Sequence, residues 1–254
     1  MQLRIMAKQQ IESWGKVLSK YVLQLDRYRT WFSILASEYF SSCSGKVTRD
    51  GLTGAIVGRT QLDLANLVQW IDGPIFLIAY CTRSLLELAT ASWSIEQTGD
   101  WRRWYGLMAR DLIDIMERAS VIDPDGGEEV ASAIQAFKAD FCRSEIPVSD
   151  HTQSFHEEAK NGHYKREYDE VFQLLSKYVH PTPVTLVGPE QLVDSAVVRR
   201  FFLMKALKYL RTIYCLAAKQ SGFDPAELDP DKQLSELRSE LDPASDPSSN
   251  EGGD

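Results

Sequence analysis

A chain of 254 residues, 44% apolar and 25% charged, has the composition of a folded globular protein, which excludes disorder of the whole. The net charge of −8 sits entirely between Phe223 and Asp254, where ten acidic residues face two basic ones, so the remaining body is neutral. Composition therefore gives no reason to expect a strongly basic nucleic-acid binder or a strongly acidic body.

From Gln2 to Phe40 apolar residues recur at helical spacing without a proline (Ile11, Trp14, Leu18, Tyr21, Val22, Leu25, Tyr28, Phe32, Leu35), which predicts one long helix or two joined by a kink near Gly15. Ser41 to Gly54 reads as a loop by composition. A second helix is predicted over Ala55 to Ile71, ended by Asp72-Gly73, and Pro74 stands where proline is tolerated, in the first turn of a third helix reaching Gln97. Gly99-Asp100 is a stop followed by an N-cap for a helix from Trp101 to Ala119.

After the turn Asp123-Pro124-Asp125-Gly126-Gly127, Glu128 to Phe141 predicts a helix with acids in its first turn. Periodicity is lost between Cys142 and Gly162, where Ser154 and Glu157 have the spacing of a capping box. It resumes from Tyr164 to Val179, with Tyr164, Tyr168, Val171, Leu175 and Val179 on one face, and stops at His180-Pro181-Thr182-Pro183. A last helix is predicted over Glu190 to Lys219.

No period-2 alternation or internal repeat accompanies these helices. Six or seven helices with mostly short connections predict one all-α domain over residues 1–222, with a long N-terminal helix at 2–40 and an antiparallel bundle at 55–219. Residues 223–254 read as an acidic, largely disordered tail, with a short helix around Leu234, Leu237 and Leu241 before the disorder.

Cys43, Cys81, Cys142 and Cys215 form no CxxC pair, and no cleavable apolar leader follows Met1, so free thiols in a cytoplasmic chain are expected. The apolar stretch Pro74 to Thr82 ends at Arg83, short of the ~20 residues that span a bilayer, so no membrane partner is expected.

Five constellations bear on chemistry. Arg83 and Glu87 are the only charges between Asp72 and Glu96, on a helical stripe shared with Phe76, Tyr80, Ser84, Thr90 and Ser94. Either the stripe faces solvent and the pair is a weak bridge, or the face is half buried and the arginine orders its neighbours. His180 ends a helix before a proline, so it either interacts with the last carbonyls or serves as an acid, a base or a phosphate contact.

The last predicted helix carries Arg200, Lys205, Lys208, Arg211 and Lys219 on one side, a footprint for a phosphate backbone or an acidic partner, unless acids elsewhere in the chain balance it. His151, His156 and His163 with Glu157 and Glu158 match no metal-ligand spacing, so no metal is expected. Gly54-Ala55-Ile56-Val57-Gly58-Arg59-Thr60 is one residue short of a phosphate loop, has Arg for Lys and follows no strand. Its glycines read better as sites where two helices approach closely. No cofactor motif is present.

The segment Arg83-Ser84-Leu85-Leu86-Glu87 on a Trp-containing helix, followed by Tyr168 and by Leu175-Ser176-Lys177-Tyr178-Val179-His180-Pro181, resembles a family of bacterial helical domains without an assigned function. That family is similar to the HEPN group of helical domains associated with nucleotides or RNA, and the layout extends from Ile56 to Leu216. The resemblance implies an all-α bundle, pairing as a homodimer, and a link to RNA or to phage-defence and stress systems. HEPN ribonucleases carry an Arg followed by His after four to six residues. Here Arg143 and His151 are separated by seven and Arg166 and His180 by thirteen.

The first reading is thus a non-enzymatic binding or regulatory module with RNA or a protein as partner. The competing readings are a metal-independent ribonuclease using Arg83, Glu87 and His180, and an RNA-binding protein using Arg200, Lys205, Lys208 and Arg211 without cleavage.

Overall fold

The computed structural model describes residues 2–43, 48–122, 127–143, 163–180 and 196–222. Every regular element among them is a helix: α1 Gln2–Cys43, α2 Arg49–Gln69, α3 Ile75–Thr98, α4 Trp101–Ile122, α5 Gly127–Arg143, a π-helical turn Glu167–Phe172 that leads into α6 Gln173–Val179, and α7 Ala196–Ser221. The all-α class follows as expected. The acidic tail and the Ser154/Glu157 capping pair lie outside the described residues, as does the predicted start of the last helix at Glu190.

The boundaries have local causes. α2 begins six residues before its expected start, because Thr48 caps it: its Oγ1 accepts the Gly51 N–H at 3.1 Å. The glycines that made this stretch read as a loop serve packing instead. A Cβ on Gly54 would lie 3.2 Å from the Tyr39 Cβ, so the missing side chain lets α2 approach α1. α3 starts just after Pro74 and ends at Gly99, whose φ of 67° is the left-handed conformation of a helix stop. Asp100 then accepts the Arg103 N–H at 3.2 Å and caps α4.

α3 is the centre of the bundle, packed most extensively on α7 and also on α2 and α6, while α1 lies against α2 and α7. Taken whole, α3 is long and apolar enough to cross a bilayer, unlike the shorter stretch seen in the sequence, but Ile78, Leu85, Leu86 and Ala89 are buried against protein. An aromatic group of Tyr28, Trp31, Phe32 and Tyr214 joins α1 to α7, and the Tyr39 hydroxyl donates to the Ala217 carbonyl at 2.7 Å. α4 and α5 form a hairpin in which α5 packs mainly on α4. Cys81 is buried and Cys215 half-buried, both as free thiols.

The segment Tyr164 to Val179 keeps its expected buried face, with Tyr164, Tyr168, Val171 and Leu175 in the core. Its first half, however, is wound as a π-helix over Glu167–Phe172. Such wide turns are intrinsically poor, and they persist where neighbouring contacts fix them.

Candidate functional site

α6 packs along α3, and this packing delivers His180 to Arg83. The histidine is the C-terminal cap of α6, with extended backbone (φ −98°, ψ 144°) imposed by Pro181, and its N–H still donates to the Ser176 carbonyl at 3.0 Å. Arg83 Nη1 lies 3.3 Å from His180 Nε2, and Arg83 Nε lies 3.4 Å from Glu87 Oε1. Because a guanidinium only donates, Nε2 accepts in this arrangement and the ring proton belongs on Nδ1. The three residues singled out in the sequence are therefore together.

The arginine is held from a third side. Its guanidinium covers the Phe172 ring at 4.4 Å, and Phe172 stacks on Tyr168 at 4.2 Å. Both rings belong to the π turn. Arg83 and Glu87 are half-buried, at 26% and 30% side-chain exposure, whereas His180 is exposed. Of the two alternatives for this stripe, the half-buried one holds. Burial pushes the Glu87 carboxyl above the ordinary glutamate range, Arg83 opposes the shift, and the neighbouring Asp63 adds to it.

Asp63 was not singled out in the sequence. It is fully buried on α2, with Oδ2 accepting from Ser84 Oγ at 2.6 Å and from Arg59 Nε at 3.3 Å, while Oδ1 has no hydrogen-bond partner. Burial raises its pKa, against the pull of Ser84 and Arg59. Arg59 reaches outward from this anchor, with 44% of its side chain exposed, and also hydrogen-bonds Tyr80. The available signal was an acid among the apolar positions Ile56, Thr60, Leu64 and Leu67 of α2, four residues after an arginine.

The basic stripe of α7 does not present itself as one open surface. Lys205 and Lys208 both donate to Glu167 of the π turn, at 2.8 and 2.5 Å, and the Tyr209 hydroxyl donates to the same carboxylate at 2.8 Å. Lys219 pairs with Glu96, and Arg200 acts electrostatically on Tyr21. Arg211, half-buried, acts electrostatically on Tyr164. The chain's own acids thus take up the lysines of the stripe. Burial disfavours the Glu167 carboxylate, but the bonds from Lys205, Lys208 and Tyr209 outweigh it and hold the pKa at about 2.

Gly54 to Thr60 lies inside α2, so the resemblance to a phosphate loop is ruled out by the absence of any loop there. His163 stacks on Trp93 at 5.7 Å; His151, His156, Glu157 and Glu158 lie outside the described residues. Among the described residues no group of metal-ligating side chains is found.

Chemically, the cluster offers a fixed guanidinium and a carboxyl with a raised pKa within one turn of α3, and an exposed imidazole brought beside them by α6. That set can bind a phosphate, and it contains the charge types of an acid–base pair. Comparison with protein-family models, with curated proteins and with solved structures returns no match for this chain.

Proposed function

We propose that the chain is a HEPN-like helical binding module that engages RNA through a phosphate held by Arg83 and His180. The observation that carries this reading is the 3.3 Å contact between Arg83 Nη1 and His180 Nε2. Two segments ninety-odd residues apart in sequence deliver a cation and a titratable ring to one exposed spot. A phosphate oxygen entering there displaces the imidazole as the arginine's acceptor and favours the protonated ring, so that both residues donate to it. Glu87 keeps the guanidinium oriented while the phosphate is bound. The resemblance to HEPN domains supports a role in a phage-defence or stress system and action as a homodimer, and the widely spaced cysteines support a cytoplasmic location.

Binding of a fluorescent single-stranded oligoribonucleotide tests the module. Affinity should fall with added salt, and Arg83→Ala should weaken binding about tenfold or more at fixed salt. Equal binding by the wild type and the Arg83→Ala variant removes the site.

A second reading, cleavage, is favoured by the company His180 keeps. Glu87 or His180 acting as base removes the ribose 2′-hydroxyl proton, the 2′-oxygen attacks phosphorus, and the other group protonates the departing 5′-oxygen. The products are a 2′,3′-cyclic phosphate and a 5′-hydroxyl, and Arg83 neutralises the charge that builds on phosphorus. The adjacency of Arg83 and His180 in space stands in for the short Arg-to-His spacing that the sequence lacks. Cleavage of RNA in a chelator by the wild type, lost in His180→Ala, is the expected result of this second reading. No cleavage, or equal cleavage by both, leaves the binding module alone.

A further inference from the structure

We infer that the stretch of α3 preceding Arg83 is a nucleobase subsite, in which Phe76 and Tyr80 stack a base whose phosphate lies on Arg83. The inference rests on the phosphate reading of the Arg83–His180 cluster and names the chemistry of the rest of the ligand: a planar base joined to a phosphate.

Phe76, Tyr80, Arg83 and Glu87 follow one another along a single stripe of α3, at intervals of four, three and four residues. At a rise of about 1.5 Å per residue, Tyr80 lies about 5 Å along the axis from Arg83 and Phe76 about 10 Å, within the reach of one or two nucleotides. Both rings are half in solvent, Phe76 at 50% and Tyr80 at 48% exposure, in a helix whose other large side chains are mostly buried. Leu62 of α2, 52% exposed, lies one turn from Arg59, which hydrogen-bonds Tyr80. This is an apolar surface beside two cations, Arg83 on its own stripe and Arg59 next to Tyr80.

The charges decide between kinds of occupant. Arg59 is anchored by the fully buried Asp63 and keeps 44% of its side chain exposed, and Arg83 is backed by Glu87. A purely apolar partner covering Phe76 and Tyr80 would desolvate both guanidiniums without supplying an anion. Bases on the rings with phosphates on the arginines satisfy every group, as in sites for single-stranded nucleic acid. The base and phosphate can come from a free nucleotide or from a strand.

The test measures binding of a labelled pentaribonucleotide and of the same backbone without bases to the full chain, with a ribonucleoside monophosphate as competitor. The proteins are the wild type, the Phe76→Ala/Tyr80→Ala double variant and Arg83→Ala, each checked for an unchanged helical melt. The double variant should weaken the pentamer about tenfold or more and leave the baseless backbone within about twofold, while Arg83→Ala weakens both. Displacement by the monophosphate identifies a free nucleotide as sufficient, and its failure to displace identifies a strand; either supports the subsite. Equal affinity of the wild type for the two pentamers, or an equal loss for both in the double variant, overturns the base subsite and leaves the phosphate site standing. Binding unaffected by Arg83→Ala overturns the phosphate site itself.

Discussion

Replacement of Glu167 by alanine is expected to destabilise the protein by about 3 kcal/mol. The carboxylate accepts from Lys205 Nζ at 2.9 and 2.8 Å, from Lys208 Nζ at 2.5 Å and from the fully buried Tyr209 hydroxyl at 2.8 Å. Removing it leaves a hydroxyl with no acceptor, costing about 1–3 kcal/mol, and two lysines whose partial exposure keeps their share below that of a fully buried broken pair. Glu167→Gln keeps an acceptor and should lose less. Glu170→Ala, which breaks only the exposed Arg166 pair, should stay within about 0.5 kcal/mol.

The same carboxylate fixes the acid limb of stability. Its pKa is about 2 against about 4.5 for an ordinary glutamate, so the folded state binds this proton less tightly than the unfolded chain. The contribution is present above about pH 4.5 and is lost as the pH falls toward 2, for a total of about 3 kcal/mol. The stability gap between the wild type and Glu167→Ala in urea melts should narrow by more than half from pH 7 to pH 3. A gap that persists unchanged at pH 3 would contradict the assignment.

Asp63→Asn carries the opposite sign. A fully buried carboxyl whose Oδ1 has no donor is costly when ionised, and its raised pKa states that cost as a proton affinity. At pH above its folded pKa the wild type bears the penalty, which vanishes below the ordinary aspartate range. The amide should therefore stabilise the protein at pH 8, with the advantage shrinking toward pH 4. The same substitution weakens the hold on Arg59, so oligonucleotide affinity should fall while stability rises. A loss of stability at pH 8 would mean that Asp63 serves the fold and not the site.

The helices, their core faces and the stops at Gly99 and His180 were legible because period, caps and prolines are local properties of sequence. The start of α2 was not: Gly51 and Gly54 have loop composition, and only the approach of Tyr39 shows why a helix uses Gly54. The π turn was hidden because a register change leaves the buried set Tyr164, Tyr168, Val171 and Leu175 intact. Arg83, Glu87 and His180 stood out as lone polar groups in apolar or proline-bounded surroundings, and their meeting depends on how α6 packs on α3. The α7 stripe misled for the same reason in reverse. Its period was correct, but Glu167, some forty residues upstream, decides where Lys205 and Lys208 point.

The most direct measurement of the central claim follows the His180 imidazole by NMR in protein with labelled histidine, while a single-stranded oligoribonucleotide is added. If Arg83 and His180 hold a phosphate, the His180 ring signals shift in saturable fashion with oligonucleotide, and Arg83→Ala suppresses the change. An oligonucleotide that binds the protein while the His180 signals stay where they were would contradict the account.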